Sequence, residues 1–171
     1  MIYDHIDLLL SENGYTKIAL NHNYGLIDPR GKIIVEPKYN EISYFSNGYA
    51  RIRINKKEGY VDLNGNEIIP PKYDYVEAPV GGVSIFKILD RNDKEIYGLA
   101  DTSGHELLFP EYDDMGVDYL EGYFGHDVDY AYNGFIKVHK GDKVGIIGNK
   151  GNIIIQAVFD NIRLMDGNLF E

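Results

Sequence analysis

Residues 24–42 read YGLIDPRGKIIVEPKYNEI, which places Asp28-Pro29-Arg30-Gly31 between two short apolar runs. Asp at the first turn position, Pro at the second and Gly where a positive φ is needed are typical of a tight turn. The runs on either side contain Ile, Val and Tyr, which favour β-strands. The stretch therefore predicts a β-hairpin with the Asp-Pro-Arg-Gly turn at its tip.

The same pattern occurs three more times. The further copies begin at Glu58, Tyr97 and Val144 and read EGYVDLNGNEIIPPKYDYV, YGLADTSGHELLFPEYDDM and VGIIGNKGNIIIQAVFDNI. The shared features are an opening Gly (Gly25, Gly59, Gly98, Gly145), a turn Gly six residues later (Gly31, Gly65, Gly104, Gly151), an apolar pair (Ile33-Ile34, Ile68-Ile69, Leu107-Leu108, Ile153-Ile154), Pro in three copies (Pro37, Pro71, Pro110), and an aromatic residue followed by Asp or Asn (Tyr39-Asn40, Tyr73-Asp74, Tyr112-Asp113, Phe159-Asp160). A fifth aromatic-Asp pair, Tyr3-Asp4, indicates that the chain begins partway through a unit, and this half-unit could complete the last one.

Alternating apolar and polar residues precede each hairpin, most clearly in Ala50–Ile54. The matching segments are Lys17–Leu20, Val83–Leu89 and Phe135–His139. Each unit is therefore predicted to hold three strands and a short fourth element at its aromatic-Asx pair. We expect a single all-β domain, residues 1–171, built as an antiparallel β-hairpin repeat array of about four units. These units are roughly residues 1–45, 46–80, 81–115 and 134–171.

This combination of motifs resembles the WG-repeat family, also called KWG repeats, which are bacterial proteins built from tandem β-units. The resemblance covers essentially the whole chain, although Tyr24, Glu58, Tyr97 and Val144 stand where the family has its signature Trp. It implies a twisted open array or a small closed, propeller-like ring, in which neighbouring units bury each other's apolar faces.

The formal net charge is −10, and no cysteine is present. Nucleic acid is disfavoured as a partner because its phosphates require Lys and Arg. No Lys or Arg occurs from Glu95 to Ile136, whereas ten acids do, so this acidic window accounts for the whole net charge. The N-terminus lacks the basic region of a secretory signal, and no apolar stretch is long enough to cross a bilayer. We expect a cytoplasmic protein that binds no membrane.

The residue types needed for chemistry are present but not in catalytic patterns. Asp62-Leu63-Asn64-Gly65-Asn66 departs from a calcium loop in the positions of its Gly and Glu. His126 lies near Asp127 and Asp129 but has no second His at a ligand-like spacing. We therefore predict no catalytic residues, no metal and no cofactor, and we do not expect an enzyme.

An insertion lengthens the last repeat interval. The turn glycines are 34, 39 and then 47 residues apart, and the extra residues fall at 115–134. Insertions in repeat proteins often carry the binding surface. The predicted partner-binding residues are acids and aromatics in and before this insertion: Asp113, Asp114, Asp118, Tyr119, Glu121, Tyr123, Phe124, Asp127, Asp129, Tyr130 and Tyr132.

These observations lead to two functional hypotheses. The first is a non-catalytic protein-binding module, in its sharpest form an immunity protein that neutralises a basic cognate toxin such as a nuclease, because carboxylates steer a positively charged partner. The alternative is a ligand-binding repeat protein that recognises a peptide, a glycan or a cell-wall fragment through repeated aromatics. Aromatics exposed at equivalent positions in all four units would favour the alternative.

Overall fold

The computed structural model describes residues 3–7, 14–116 and 135–162, and these form sixteen β-strands and no helix. The first sheet contains β1 (His5–Ile6), β2 (Thr16–Leu20), β3 (Asn23–Ile27) and β4 (Ile33–Tyr39). The second contains β5 (Glu41–Ile42), β6 (Tyr49–Ile54), β7 (Lys57–Asp62) and β8 (Glu67–Tyr73). The third contains β9 (Tyr75–Val76), β10 (Val83–Leu89), β11 (Glu95–Asp101) and β12 (Glu106–Tyr112). The fourth contains β13 (Asp114–Gly116), β14 (Phe135–Lys140), β15 (Lys143–Gly148) and β16 (Ile153–Phe159).

Every sheet is an antiparallel meander in which strands adjacent in sequence are adjacent in space. This confirms the predicted all-β hairpin repeat with three longer strands and one short strand per unit. The short strands that follow the first four aromatic-Asx pairs each open a sheet, and the N-terminal half-unit supplies β1, which pairs with β2. No sheet closes on itself, and the choice between an open array and a ring of sheets stays a prediction.

The hairpins share one register. The residue before the opening Gly pairs with the aromatic of the aromatic-Asx pair in every sheet: Tyr24 with Tyr39, Glu58 with Tyr73, Tyr97 with Tyr112 and Val144 with Phe159. In two copies, the strand pairing shows that the apolar pair lies one residue later than the sequence analysis placed it. Ile34-Val35 and Ile154-Ile155 are the equivalents of Ile68-Ile69 and Leu107-Leu108, because Val35 and Ile155 pair as Ile69 and Leu108 do.

The chain divides into two compact units, Met1–Ala78 and Pro79–Glu171. The core of the first contains Leu26, Val35, Tyr39, Ile42, Phe45, Ala50, Ile52 and Val61. The core of the second contains Val83, Ile85, Leu99, Tyr112, Met115, Ile136, Val138 and Ile147. In both, apolar residues of neighbouring hairpins pack together, as repeats that cannot bury their faces alone must do. The single-domain description of residues 1–171 stays a prediction.

Candidate functional site

The opening glycine of each repeat lies where two strands approach too closely for a side chain. A Cβ on Gly25 would lie 2.3 Å from the carbonyl oxygen of Val35, and one on Gly59 would lie 2.3 Å from that of Ile69. The same contact would be 2.8 Å at Gly98 and 2.7 Å at Gly145. The ladder register shifts beside each of these glycines, so the Gly accommodates a bulge in the facing strand.

The Asp-x-x-Gly turns form as predicted. In the second sheet, Asp62 Oδ1 accepts hydrogen bonds from the backbone N–H groups of Asn64 (2.9 Å) and Asn66 (2.8 Å), while Gly65 has φ +83°. Burial would raise the pKa of Asp62, but these hydrogen bonds outweigh it and lower the pKa. Asp28 and Asp101 accept the equivalent amide hydrogen bonds. The hairpin explains the resemblance of this segment to a calcium loop.

The Asx of the aromatic-Asx pair caps the first hairpin turn of the sheet that follows it. The Asp4 carboxylate accepts from the Asn21 N–H at 2.5 Å, Asn40 Oδ1 accepts from the Asn55 N–H at 2.9 Å, and the Asp113 carboxylate accepts from the Gly141 N–H at 2.5 Å. The sequence analysis did not identify this role, because the partners are 15 to 28 residues apart along the chain. The signal available was the recurrence of an acceptor side chain at this position.

The aromatic of the same pair belongs to the core. Tyr39, Tyr73 and Tyr112 are buried, whereas Phe159 in the last sheet is 52% exposed. The Tyr39 hydroxyl donates to Glu67 Oε1 at 2.6 Å, and burial together with this carboxylate raises the pKa of Tyr39. In the first unit, the Tyr39 hydroxyl therefore joins β4 of the first sheet to β8 of the second.

A family model described as a WG containing repeat matches residues 24–57, 59–91 and 145–170, which is more than half of the chain. The chain belongs to the WG-repeat family. No curated protein matches the sequence. The copy at residues 97–115 falls outside the matched ranges, yet its register and its turn are those of the other WG repeats.

The residues at the position of the signature Trp differ in their surroundings among the WG repeats. Tyr24 is 38% exposed, and Val144 is buried. Glu58 is 2% exposed, and its carboxylate accepts hydrogen bonds from Arg53 Nη2 and, at 3.4 Å, from the Val76 N–H. The hydrogen bond to Glu58 raises the pKa of Arg53. These hydrogen bonds give the Glu58 carboxylate a structural role, because a buried carboxylate without such partners would destabilise the fold.

Lysines from outside the acidic window form ion pairs with three of its acids. Lys87 Nζ lies 2.7 Å from Glu95 Oε1, and Lys140 Nζ lies 2.7 Å from Glu111 Oε2. Lys94 donates to Asp113, and this hydrogen bond, together with that from the Gly141 N–H, lowers the pKa of the Asp113 carboxyl. These lysines lie outside the window in sequence, so the run of acids is not a continuous acidic surface in the part of the chain that the structure describes.

Only two of the predicted partner-binding residues fall within the described ranges. Asp113 has the structural role given above, while Asp114 is exposed and accepts a hydrogen bond from the Met115 N–H at 2.9 Å. Their part in binding stays a prediction. The other nine lie outside the described residues: Asp118, Tyr119, Glu121, Tyr123, Phe124, Asp127, Asp129, Tyr130 and Tyr132.

The sequence analysis did not identify the Asn-Gly turn that precedes strand β6. Asn47 and Gly48 have φ of 50° and 86° and connect Ser46 to Tyr49, whose backbones exchange two hydrogen bonds. Residues 132–134 carry the same Asn-Gly pattern in sequence before strand β14. These residues lie outside the described ranges, so the end of the insertion stays a prediction, whereas residues 115 and 116 belong to strand β13.

The described ranges contain no group of three His, Asp or Glu side chains placed to hold a metal ion. A hollow in the first compact unit is lined by residues that include His5, Asp7, Lys17, Tyr24 and Glu41. Among the described residues, no helix is long and apolar enough to cross a membrane.

Proposed function

We propose that this WG-repeat protein is a non-catalytic protein-binding module, specifically an immunity protein that neutralises a basic cognate toxin such as a nuclease. The observation that carries the proposal is the composition of the insertion. Between Asp118 and Tyr130 it holds four acids, four aromatics and no Lys or Arg, in a repeat that otherwise follows the common pattern. Aromatics anchor protein interfaces, and carboxylates accelerate the approach of a basic partner.

The structure of the repeats supports assigning the partner surface to the insertion. Glu95, Glu111 and Asp113 have lysine partners, so their charges are compensated within the fold. The four acids of the insertion have no Lys or Arg among the residues beside them in sequence, and they are therefore proposed to steer the partner. A nuclease suits this surface because an enzyme that grips nucleic acid exposes Lys and Arg.

The alternative of ligand recognition through repeated aromatics has less support. The aromatics that recur in every unit are Tyr39, Tyr73, Tyr112 and Phe159. The first three are buried, so among the described residues this repeated set does not form an exposed row. Tyr24 is exposed, but Glu58 and Val144 stand at its equivalent positions.

The test begins with co-expression of the full chain and the product of its neighbouring gene, followed by calorimetry against any basic protein that is retained. Tight binding that weakens with salt and silences a nuclease would support the proposal. Retention of no basic protein would contradict it and favour a small ligand or glycan.

Charge variants then locate the surface. Asp118→Asn, Asp127→Asn and Asp129→Asn together should slow association and weaken its salt dependence. The matched control carries Glu36→Gln, Asp93→Asn and Asp142→Asn, which change the net charge equally at exposed positions outside the window. Equal association rates for the two triple variants would show that net charge alone matters and would refute the assignment to the insertion.

A further inference from the structure

Consecutive sheets pack through the same contact in both compact units. In the first, the turn at Gly65 lies against β4, and a Cβ on Gly65 would come within 1.9 Å of the Ile34 carbonyl oxygen. In the second, the turn at Gly151 lies against β12, and a Cβ there would come within 2.8 Å of the carbonyl oxygen of Leu107. Ile34 and Leu107 are equivalent, because each directly precedes the residue that pairs with the position after the opening Gly of its sheet. The turn of one sheet thus covers the last strand of the preceding sheet.

A polar contact accompanies this packing in the first unit. Glu67, just beyond the Gly65 turn, accepts hydrogen bonds from Lys38 Nζ at 2.7 Å and from the Tyr39 hydroxyl at 2.6 Å. Tyr39 itself is completely buried. The contact surface between two consecutive sheets therefore includes a turn glycine, the residue two positions after it, and two side chains at the end of the covered strand.

The last strand that the structure describes, β16, has the equivalent residues, and three of them are exposed. Ile154, the equivalent of Ile34 and Leu107, is 38% exposed. Val158 and Phe159 stand at the positions of Lys38 and Tyr39 and are 58% and 52% exposed. The strand therefore presents an apolar face of the kind that a following sheet covers elsewhere in the chain.

The first sheet presents the complementary face. A Cβ on Gly31, the equivalent of Gly65, would meet no atom of the described residues within 4 Å. Ile33 occupies the position of Glu67, as the pairing of Ile27 with Ile33 and of Val61 with Glu67 shows. The carboxylate that binds Lys38 and Tyr39 within the chain is thus replaced by an apolar side chain, which suits Val158 and Phe159.

We propose that a second copy of this chain docks the Gly31 turn and Ile33 of its first sheet onto Ile154, Val158 and Phe159 of β16. The contact repeats between copies the packing that joins consecutive sheets within one copy. Its two surfaces differ, so the association is head-to-tail and can extend beyond a dimer unless it closes. This inference concerns the first and the last sheet that the structure describes, and it is independent of the proposed role of the insertion.

Two variants block one surface each. Gly31→Asn keeps a residue that tolerates positive φ but adds a side chain where the docked Ile154 backbone would lie. Its control is Gly48→Asn, also at positive φ and with no described atom within 4 Å of an added Cβ. Phe159→Glu places a charge at the β16 position whose equivalents Tyr39 and Tyr112 are buried, and its control is Phe109→Glu, at a residue that is 77% exposed on β12.

Sedimentation velocity of the full chain over a series of concentrations tests the proposal. We expect wild type and both controls to associate with increasing concentration, and each blocking variant to raise the dissociation constant by about tenfold or more, since a buried charge or a backbone clash costs at least that factor. A monomeric wild type at every concentration would overturn the proposal, because the face is then covered within one copy or left open. Association that survives both blocking variants would also overturn it.

Mixing the two blocking variants provides the decisive measurement. Gly31→Asn retains a free β16 and Phe159→Glu retains a free first sheet, so an equimolar mixture should form 1:1 dimers that neither variant forms alone. Recovery also shows that both variants are folded. A mixture that remains monomeric while each variant has the circular dichroism spectrum of the wild type would refute head-to-tail docking.

Discussion

Replacing Gly59 by Ala tests the close approach that defines the repeat. The added Cβ would lie 2.3 Å from the Ile69 carbonyl oxygen and 2.8 Å from backbone atoms of Pro70 and Pro71. Because every obstacle is backbone, no side-chain rotation relieves the clash, and the cost should reach the upper end of the overpacking range, about 3 kcal/mol. Reduced entropy of the unfolded chain returns about 0.4 to 1 kcal/mol. The expected net loss is about 2 kcal/mol in the free energy of unfolding, or roughly 4 to 8 °C in Tm for a chain of this length.

The measurement is urea unfolding followed by far-ultraviolet circular dichroism, with the m-value compared between variants. Gly116→Ala is the matched control, since it lies in a strand and a Cβ there would meet no described atom within 4 Å. The control should unfold at the wild-type midpoint or slightly above it. If Gly59→Ala were as stable as Gly116→Ala, the strands would be able to separate at the bulge, and the steric reason for the repeated Gly would be wrong.

Three further predictions concern the turns and the contact between the first two sheets. Gly65→Val should lower the free energy of unfolding by more than about 1 kcal/mol, because φ is +83° and the Ile34 backbone lies against the turn; an unchanged urea midpoint would contradict the turn assignment. Asp62→Ala should lower the free energy of unfolding by about 1 to 2 kcal/mol, because two backbone amides of the turn lose their acceptor. Thermal unfolding measures this loss, with Asp62→Asn for comparison. Burial opposes the ionisation of Glu67, but hydrogen bonds from the lysine beside it and from Tyr39 lower its pKa below 4.5. The stabilisation that ionised Glu67 provides should therefore be complete above pH 4.5 and be lost as the pH falls through the lowered pKa. Glu67→Gln should accordingly lose less Tm on acidification than the wild type. Parallel plots of Tm against pH for the two proteins would refute this role of Glu67.

The hairpins could be predicted because their determinants are local. Asp62 and Gly65 lie within one turn, and a carboxylate acceptor with a positive-φ glycine specifies that turn almost regardless of its surroundings. The apolar pair was placed one residue too early in the first and last copies because Ile33 and Ile153 are apolar where Glu67 and Glu106 stand in the other copies. Only the strand pairing reveals the correct alignment.

The electrostatics could be predicted less well, since charge pairs form across strands. The acidic window looked uniform along the chain, but Lys94 and Lys140 are brought to Asp113 and Glu111 by the strand order of the second unit. In the same way, the capping of Gly141 by Asp113 joins residues 28 positions apart. Pairings at that separation depend on which strands become neighbours, and a one-dimensional count of charges does not contain that information.

The strictly sequential strand order has a consequence for how the chain acquires its structure during synthesis. Each sheet is complete as soon as its fourth strand has left the ribosome, because none of its strands is contributed by a later repeat. Most of the connections between paired strands are short, which favours rapid folding for a β-protein and limits the time for which apolar strand edges are exposed to other nascent chains, while the link from β13 to β14 spans residues 117–134. The Asx cap adds a direction to this process, since Asn40 is already fixed at the end of one sheet when the turn at Asn55 emerges.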